Sequence, residues 1–173
     1  MTLSLYDASV PVFTSMLRNM RAWLDKAAAE KEESALTEAR LAEDMAPLTR
    51  QYQMASDTAK NAIARLLGET PPVMEDTETS FDELRARCDK TIAYLEGADR
   101  AAIDGAGGRE VVLRFPNGMG YRFNGADYLT RFALPNFLFH ATIAYAILRN
   151  QGVSLGKPDF LQHLGMPEQI PEA

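Results

Sequence analysis

The chain has 173 residues, 46% hydrophobic and 24% charged, with a net charge of −6. That length fits one domain, 1–173, able to bury a real core, and its charges are mixed along the chain, which argues against nucleic acid as the main partner. No run of about 18 unbroken apolar residues occurs, so no membrane span is expected.

The start, Met1-Thr2-Leu3-Ser4-Leu5-Tyr6-Asp7, lacks the basic opening and long apolar run of a signal peptide, and a cytoplasmic location is the expectation. Asp7 or Ser9 then caps a first helix, with Pro11 tolerated in its opening turn. Its apolar residues recur at helical spacing on one face: Val12, Phe13, Met16, Leu17, Met20, Trp23, Leu24 and Ala27. The stretch from Ser34 to Ala42 reads as a short extra helix or an ordered loop. A second helix starts at Pro47, with a seam of Leu48, Tyr52, Ala55, Ala59, Ala62 or Ile63, and Leu66. Gly68 stops it, and Pro71-Pro72 imposes an extended connection. Ser80-Phe81-Asp82-Glu83 is a capping box for a third helix, whose stripe runs Phe81, Leu84, Cys88, Thr91 or Ile92, and Leu95 to a stop at Gly97. Cys88 is the only cysteine, so there is no internal disulfide or cysteine-cluster metal site. It is placed in the core rather than read as a reactive thiol.

Between Gly105 and Gly125 the period changes. Val111–Phe115 and Tyr121–Phe123 are β-prone runs around Pro116-Asn117-Gly118-Met119-Gly120, which predicts a small β-hairpin before the last helix. It covers a pocket or an interface, or it is only an elaborate connection. The fourth helix is expected from about Ala126 to Asn150, kinked or relieved by one turn at Pro135. From Phe132 to Leu148 it is apolar almost all round, so it should pack against a partner subunit or under the hairpin. After Gly152, Pro158, Pro167 and Pro171 predict an extended strap.

Several segments together are similar to a known group: Leu5–Phe13, Leu41–Leu48 with Gln51–Asp57, Glu75–Phe81, and Phe132–His140. Over nearly the whole chain the sequence resembles an uncharacterised bacterial family of domain-of-unknown-function proteins within the DinB/YfiT-like superfamily. The resemblance implies an all-α, up-down-down-up four-helix bundle, often a homodimer, and no known reaction. Many members of that superfamily bind a divalent metal through three histidines, one on the second helix and a His-x-x-x-His pair on the last, and some are thiol-dependent transferases or hydrolases. Here His140 could stand for the first of the pair, but Ala144 follows four residues on. The second helix has no histidine, and His163 lies in the tail. No metal or other cofactor is therefore expected, and His140 is the one plausible ligand.

His140, inside an apolar helix, must find hydrogen bonds or a metal. It reads either as a neutral core histidine or as part of a site. Asn136 lies one turn earlier on roughly the same side. Asp57 falls opposite the second-helix seam and should face solvent, paired with Lys60 or Asn61. Gln51, Ser56 and Thr58 flank the seam and are better placed to reach the interior. Asp7, Asp44, Glu75 and Asp76 fit the role of anchors near helix starts. The preferred function is a dimeric module with an internal pocket edged by His140, Asn136, Tyr52, Trp23 and Gln51, holding a small, partly apolar molecule. The alternatives are a divergent metal-dependent enzyme using His140 and a structural dimer without ligand.

Overall fold

A computed structural model describes residues 4–170. Met1, Thr2 and Leu3 of the start and Pro171 of the tail lie outside the described residues. Four long helical stretches carry the core: α1 (Val10–Glu30), α3 (Leu48–Leu67), α4 (Phe81–Glu96), and a composite last helix ending in α7 (Leu134–Asn150). A short α2 (Glu33–Thr37) follows α1, and α5 (Arg100–Asp104) follows α4. Each long helix turns its apolar stripe inward. On α1, Phe13, Leu17, Met20, Trp23, Leu24 and Ala27 are fully buried, whereas Val12 stays 37% exposed. Fully burying such a side chain contributes roughly 1.5–3 kcal/mol, which is what holds amphipathic helices together. No helix among the described residues is long and apolar enough to cross a membrane.

Cross-helix contacts fix the topology. Arg18 pairs with Glu96, Arg21 with Asp89 at 3.1 Å, and Arg85 with Asp25 at 2.7 Å, so α1 and α4 are antiparallel. Phe13 meets Phe137 edge-on at 4.8 Å and Trp23 meets Tyr145 at 5.5 Å, so α1 and α7 run the same way. Gln51 bonds His140 and Thr58 bonds Asn136, so α3 and α7 are antiparallel. With α1 up, α3 and α4 are down and α7 is up. Each of the four packs mainly on two neighbours, α1 on α4 and α7, and α3 on the same pair.

The helix ends follow the sequence signals. Gly68 closes α3 in the left-handed region, φ 76°, where a side chain would be strained. At α4 the capping box forms in full: Ser80 Oγ accepts from the Glu83 N–H at 3.3 Å, and Glu83 accepts from the Ser80 N–H at 3.1 Å. Ser9 occupies the cap position of α1 but does not cap it, because its hydroxyl donates backward to the Leu5 carbonyl at 2.6 Å.

The predicted hairpin is present as β1 (Glu110–Arg114) and β2 (Gly120–Asn124), antiparallel with Val112 opposite Arg122. Val111 and Leu113 point into the core, and Phe123 packs on Tyr128 and Phe132 at 6.2 and 6.3 Å. The hairpin therefore braces the opening turn α6 (Gly125–Tyr128) of the last helix and leaves the apolar flank of α7 open. Leu138 and Phe139 are 38% and 52% exposed there. Between α6 and α7 one π-helical turn, Leu129–Ala133, closes with the Leu134 N–H on the Leu129 carbonyl. Its physical reason is Pro135, which has no N–H and whose ring conflicts with the carbonyl four residues back; widening the turn relieves both.

The tail departs from the expected extended strap. Val153 and Leu155 are buried, and a helical turn α8 (Lys157–Phe160) starts with Pro158 in its first turn. This segment is tied across α1. Lys26 pairs with Asp159 at 2.8 Å, Trp23 Nε1 donates to the Asp159 carbonyl at 3.1 Å, and Asn19 donates to the Phe160 carbonyl at 2.8 Å. A proline at the start of a helix costs nothing, because its missing N–H would have no helical partner there.

Candidate functional site

Three hydrogen-bonded rungs cross from α3 to the last helix. Gln51 meets His140 at 2.9 Å, Thr58 accepts from Asn136 at 2.8 Å, and Arg65 donates to the Tyr128 hydroxyl at 2.9 Å. On α3 the rungs are seven residues apart, two helical turns. On the last helix Tyr128 and Asn136 are eight apart, which in a regular helix would rotate them about 80° out of line. The π turn between them absorbs the extra residue and returns Tyr128, Asn136 and His140 to one side. Next to these rungs lies an open groove of about 260 Å³ lined by Met54, Asp57, Thr58, Asn61, Arg65, Tyr128, Phe132, Asn136 and His140.

The sequence-predicted residues divide between this groove and the core. His140 and Asn136 line the groove, and Gln51 stands behind them, 1% exposed. Tyr52 and Trp23 are not part of it. Tyr52 is fully buried with its hydroxyl on the Met20 carbonyl at 2.8 Å, and burial holds its pKa well above 10.0. Trp23 is fully buried under the tail, stacked on Phe160 at 5.5 Å. The expected internal pocket edged by all five is therefore replaced by a lateral groove holding two of them. Both aromatics carry a polar tip, and each tip is taken by a backbone carbonyl of another segment.

Hydrogen bonding fixes the state of His140. Gln51 Nε2 donates to the Ala46 carbonyl at 2.9 Å, so its Oε1 faces the imidazole. Nδ1 must then carry a proton, which leaves Nε2 as the lone-pair nitrogen of the neutral ring. Burial, with the nearby Arg50 charge, lowers the His140 pKa below 6.5 and favours that neutral form. The residues do not fit a three-histidine divalent centre. An amide holds the place opposite His140, Ala144 is buried one turn on, and no group of three His, Cys, Asp or Glu among the described residues is arranged to hold a metal.

Arg87 is the prominent residue that sequence reasoning missed. Its side chain is 1% exposed, yet it meets Asp57 at 2.8 Å, Asp76 at 3.0 Å and Glu78 at 2.8 Å, and donates to the Glu75 carbonyl. Burial opposes its charge, but the Glu78 hydrogen bond and the Asp57, Glu78 and Asp76 carboxylates raise its pKa on balance. Lys60 also pairs with Asp57 at 2.9 Å, and Arg50 pairs with Asp76. Asp57 pairs with Lys60 as expected, but instead of facing solvent it is half-buried, because Arg87, buried on α4, reaches across as an unforeseen second partner. The legible signal was a charge at position 87, three residues after Leu84 and beside Cys88 on the buried stripe, facing an acidic run at 75–78. A larger groove of about 540 Å³ lies here, lined by Val73, Met74, Glu75, Thr77, Glu78, Glu83, Ala86, Arg87 and Lys90. Its buried cation is already committed to carboxylates, so it offers a ligand less than the smaller groove does. Cys88, fully buried, has its thiol pKa pushed up to about 12 by burial and is chemically quiet.

Comparison with known proteins adds the family. A family described as Domain of unknown function (DUF1993) matches residues 5–161. The crystal structure of a DinB family member protein from Shewanella denitrificans is 40% identical, covers 96% of each chain and superposes with a TM-score of 0.85. No curated protein matches. With the up-down-down-up bundle, the hairpin and the match across nearly all of its length, the chain belongs to the DUF1993 family of DinB-like helical bundles.

Proposed function

We propose that this protein is a helical-bundle module that binds a small, partly apolar molecule in the lateral groove between α3 and the last helix. The observation that carries this reading is the pairing of uncommitted polar atoms with aromatic surface on one wall. His140 presents a neutral imidazole whose Nε2 is a lone-pair acceptor, and the half-buried Phe132, stacked at 6.0 Å on the fully buried Tyr128 ring, lies about two turns away. A site with a few fixed polar groups on an apolar wall is the usual form of a small-molecule pocket. Phenol, as a neutral aromatic probe with one hydroxyl, tests it by NMR titration of labelled protein. Saturable amide shifts are expected at Thr58, Arg65, Tyr128, Asn136 and His140. Shifts confined to residues 73–90 would contradict the reading.

A homodimer is the second reading, favoured by the apolar flank of α7. Leu138 and Phe139 are exposed, Leu134 and Ile143 are half-buried, and the hairpin braces a different part of the helix. A contiguous exposed apolar strip of this kind marks an interaction surface, and a second copy is the simplest occupant. A metal-dependent reaction is the less favoured alternative. Native protein and a His140→Ala variant are expected to contain no stoichiometric metal by elemental analysis. Metal bound at one per chain in wild type and lost in the variant would restore the enzyme reading.

A further inference from the structure

Within the groove the two fixed charges are in unlike states. Asp57 is neutralised by Lys60 at 2.9 Å and Arg87 at 2.8 Å. Arg65, half-buried, donates to the Tyr128 hydroxyl at 2.9 Å and has no carboxylate at ion-pair distance among the described residues. A guanidinium has five N–H donors, so most of its fork is left for solvent or a ligand. In a protein of net charge −6, the groove therefore presents a local positive centre.

The surroundings narrow what that centre accepts. Beside it the half-buried Phe132 ring is backed by the fully buried Tyr128 ring, 18° from parallel, with Phe123 of the hairpin behind them. The guanidinium carbon itself sits 5.7 Å from the Tyr128 ring centroid. Arg65 is in the last turn of α3, where the helix carbonyls carry partial negative charge, which disfavours a multiply charged anion. Among the described residues no second free cation lines this groove, and the start of the last helix is already capped by Asn124, which accepts from the Asp127 N–H at 2.8 Å, so it is not built as a phosphate cradle. The next polar rung, Thr58 with Asn136, is seven residues along α3, about 10 Å away. A volume of about 260 Å³ equals roughly nine water volumes.

We infer that the Arg65 end of the groove is a carboxylate site for a small planar aromatic monoanion, with the ring against the half-buried Phe132. This rests on the reading of the groove as a small-molecule site and adds the ligand class to it. Phenylacetate and phenylacetamide test it, because they share ring and size and differ in charge. By NMR titration, wild type should bind phenylacetate about tenfold more tightly than the amide, with shifts at Arg65, Tyr128 and Asn136. Arg65→Gln should bind both alike, and Arg65→Lys should recover part of the preference as a point charge. If Arg65→Gln fails to fold, the wild-type ratio and Arg65→Lys decide alone. Equal binding of both probes in the wild-type groove would overturn the carboxylate assignment while leaving the groove reading intact. A preference that survives in Arg65→Gln would overturn it as well. If neither probe perturbs the groove, both readings fall.

Discussion

A guanidinium that is 1% exposed loses its hydration on folding, and at Arg87 three carboxylates on α3 and the 75–78 connection offset that loss. Breaking such a group by removing one partner leaves uncompensated charge, which is costlier than the pair was worth. Arg87→Met should lower stability by about 3 kcal/mol in urea unfolding, with Arg87→Lys in between because an ammonium cannot reach three carboxylates as a planar fork does. His140 makes a prediction about pH. Its folded pKa lies below 6.5, so as pH falls the unfolded chain takes up the proton first. The stability it contributes is complete above about pH 6.5 and is lost as pH drops from there through the lower folded value. His140→Gln should flatten that part of the unfolding-midpoint profile. An unchanged profile would mean that the ring is not held neutral.

At the scale of elements, the stripes, stops and caps of the bundle were legible because each is local. The capping box at Ser80 needs only residues three apart, and Ser80→Ala should cost about 1 kcal/mol in thermal or urea unfolding. The rungs between α3 and the last helix were not legible. Their partners depend on the register of two distant segments, and that register depends on a π turn whose only sequence trace is Pro135. If the π turn acts as a one-residue insertion, deleting exposed Thr130 together with Pro135→Ala should give a regular helix that still aligns Tyr128 with Asn136. Nuclear Overhauser contacts between Arg65 and Tyr128 should persist in that variant. Their loss would show that the bulge does more than absorb a residue. Trp23 and Tyr52 were misplaced for a related reason. An aromatic with a polar tip on an apolar stripe resembles a pocket wall until the carbonyl that satisfies it, Asp159 or Met20, is brought alongside by another part of the chain.

For the whole molecule, the all-round apolar character of the last helix has two separate structural causes. Its inner face, Phe137, Ala141, Ala144, Ile147 and Leu148, is core, while Leu138 and Phe139 remain open to solvent in the single chain. The proposed dimer predicts that Leu138→Glu with Phe139→Glu shifts the mass measured by light scattering from two chains to one without loss of helicity. A wild-type mass of one chain at all concentrations would remove the dimer from the account. The groove is the more central claim, and crystals soaked in aqueous phenol and isopropanol test it most directly. Ordered probe molecules should collect between α3 and the last helix, against Phe132 and Asn136. A groove holding only water while the probes gather elsewhere, for instance along the 73–90 face, would contradict it.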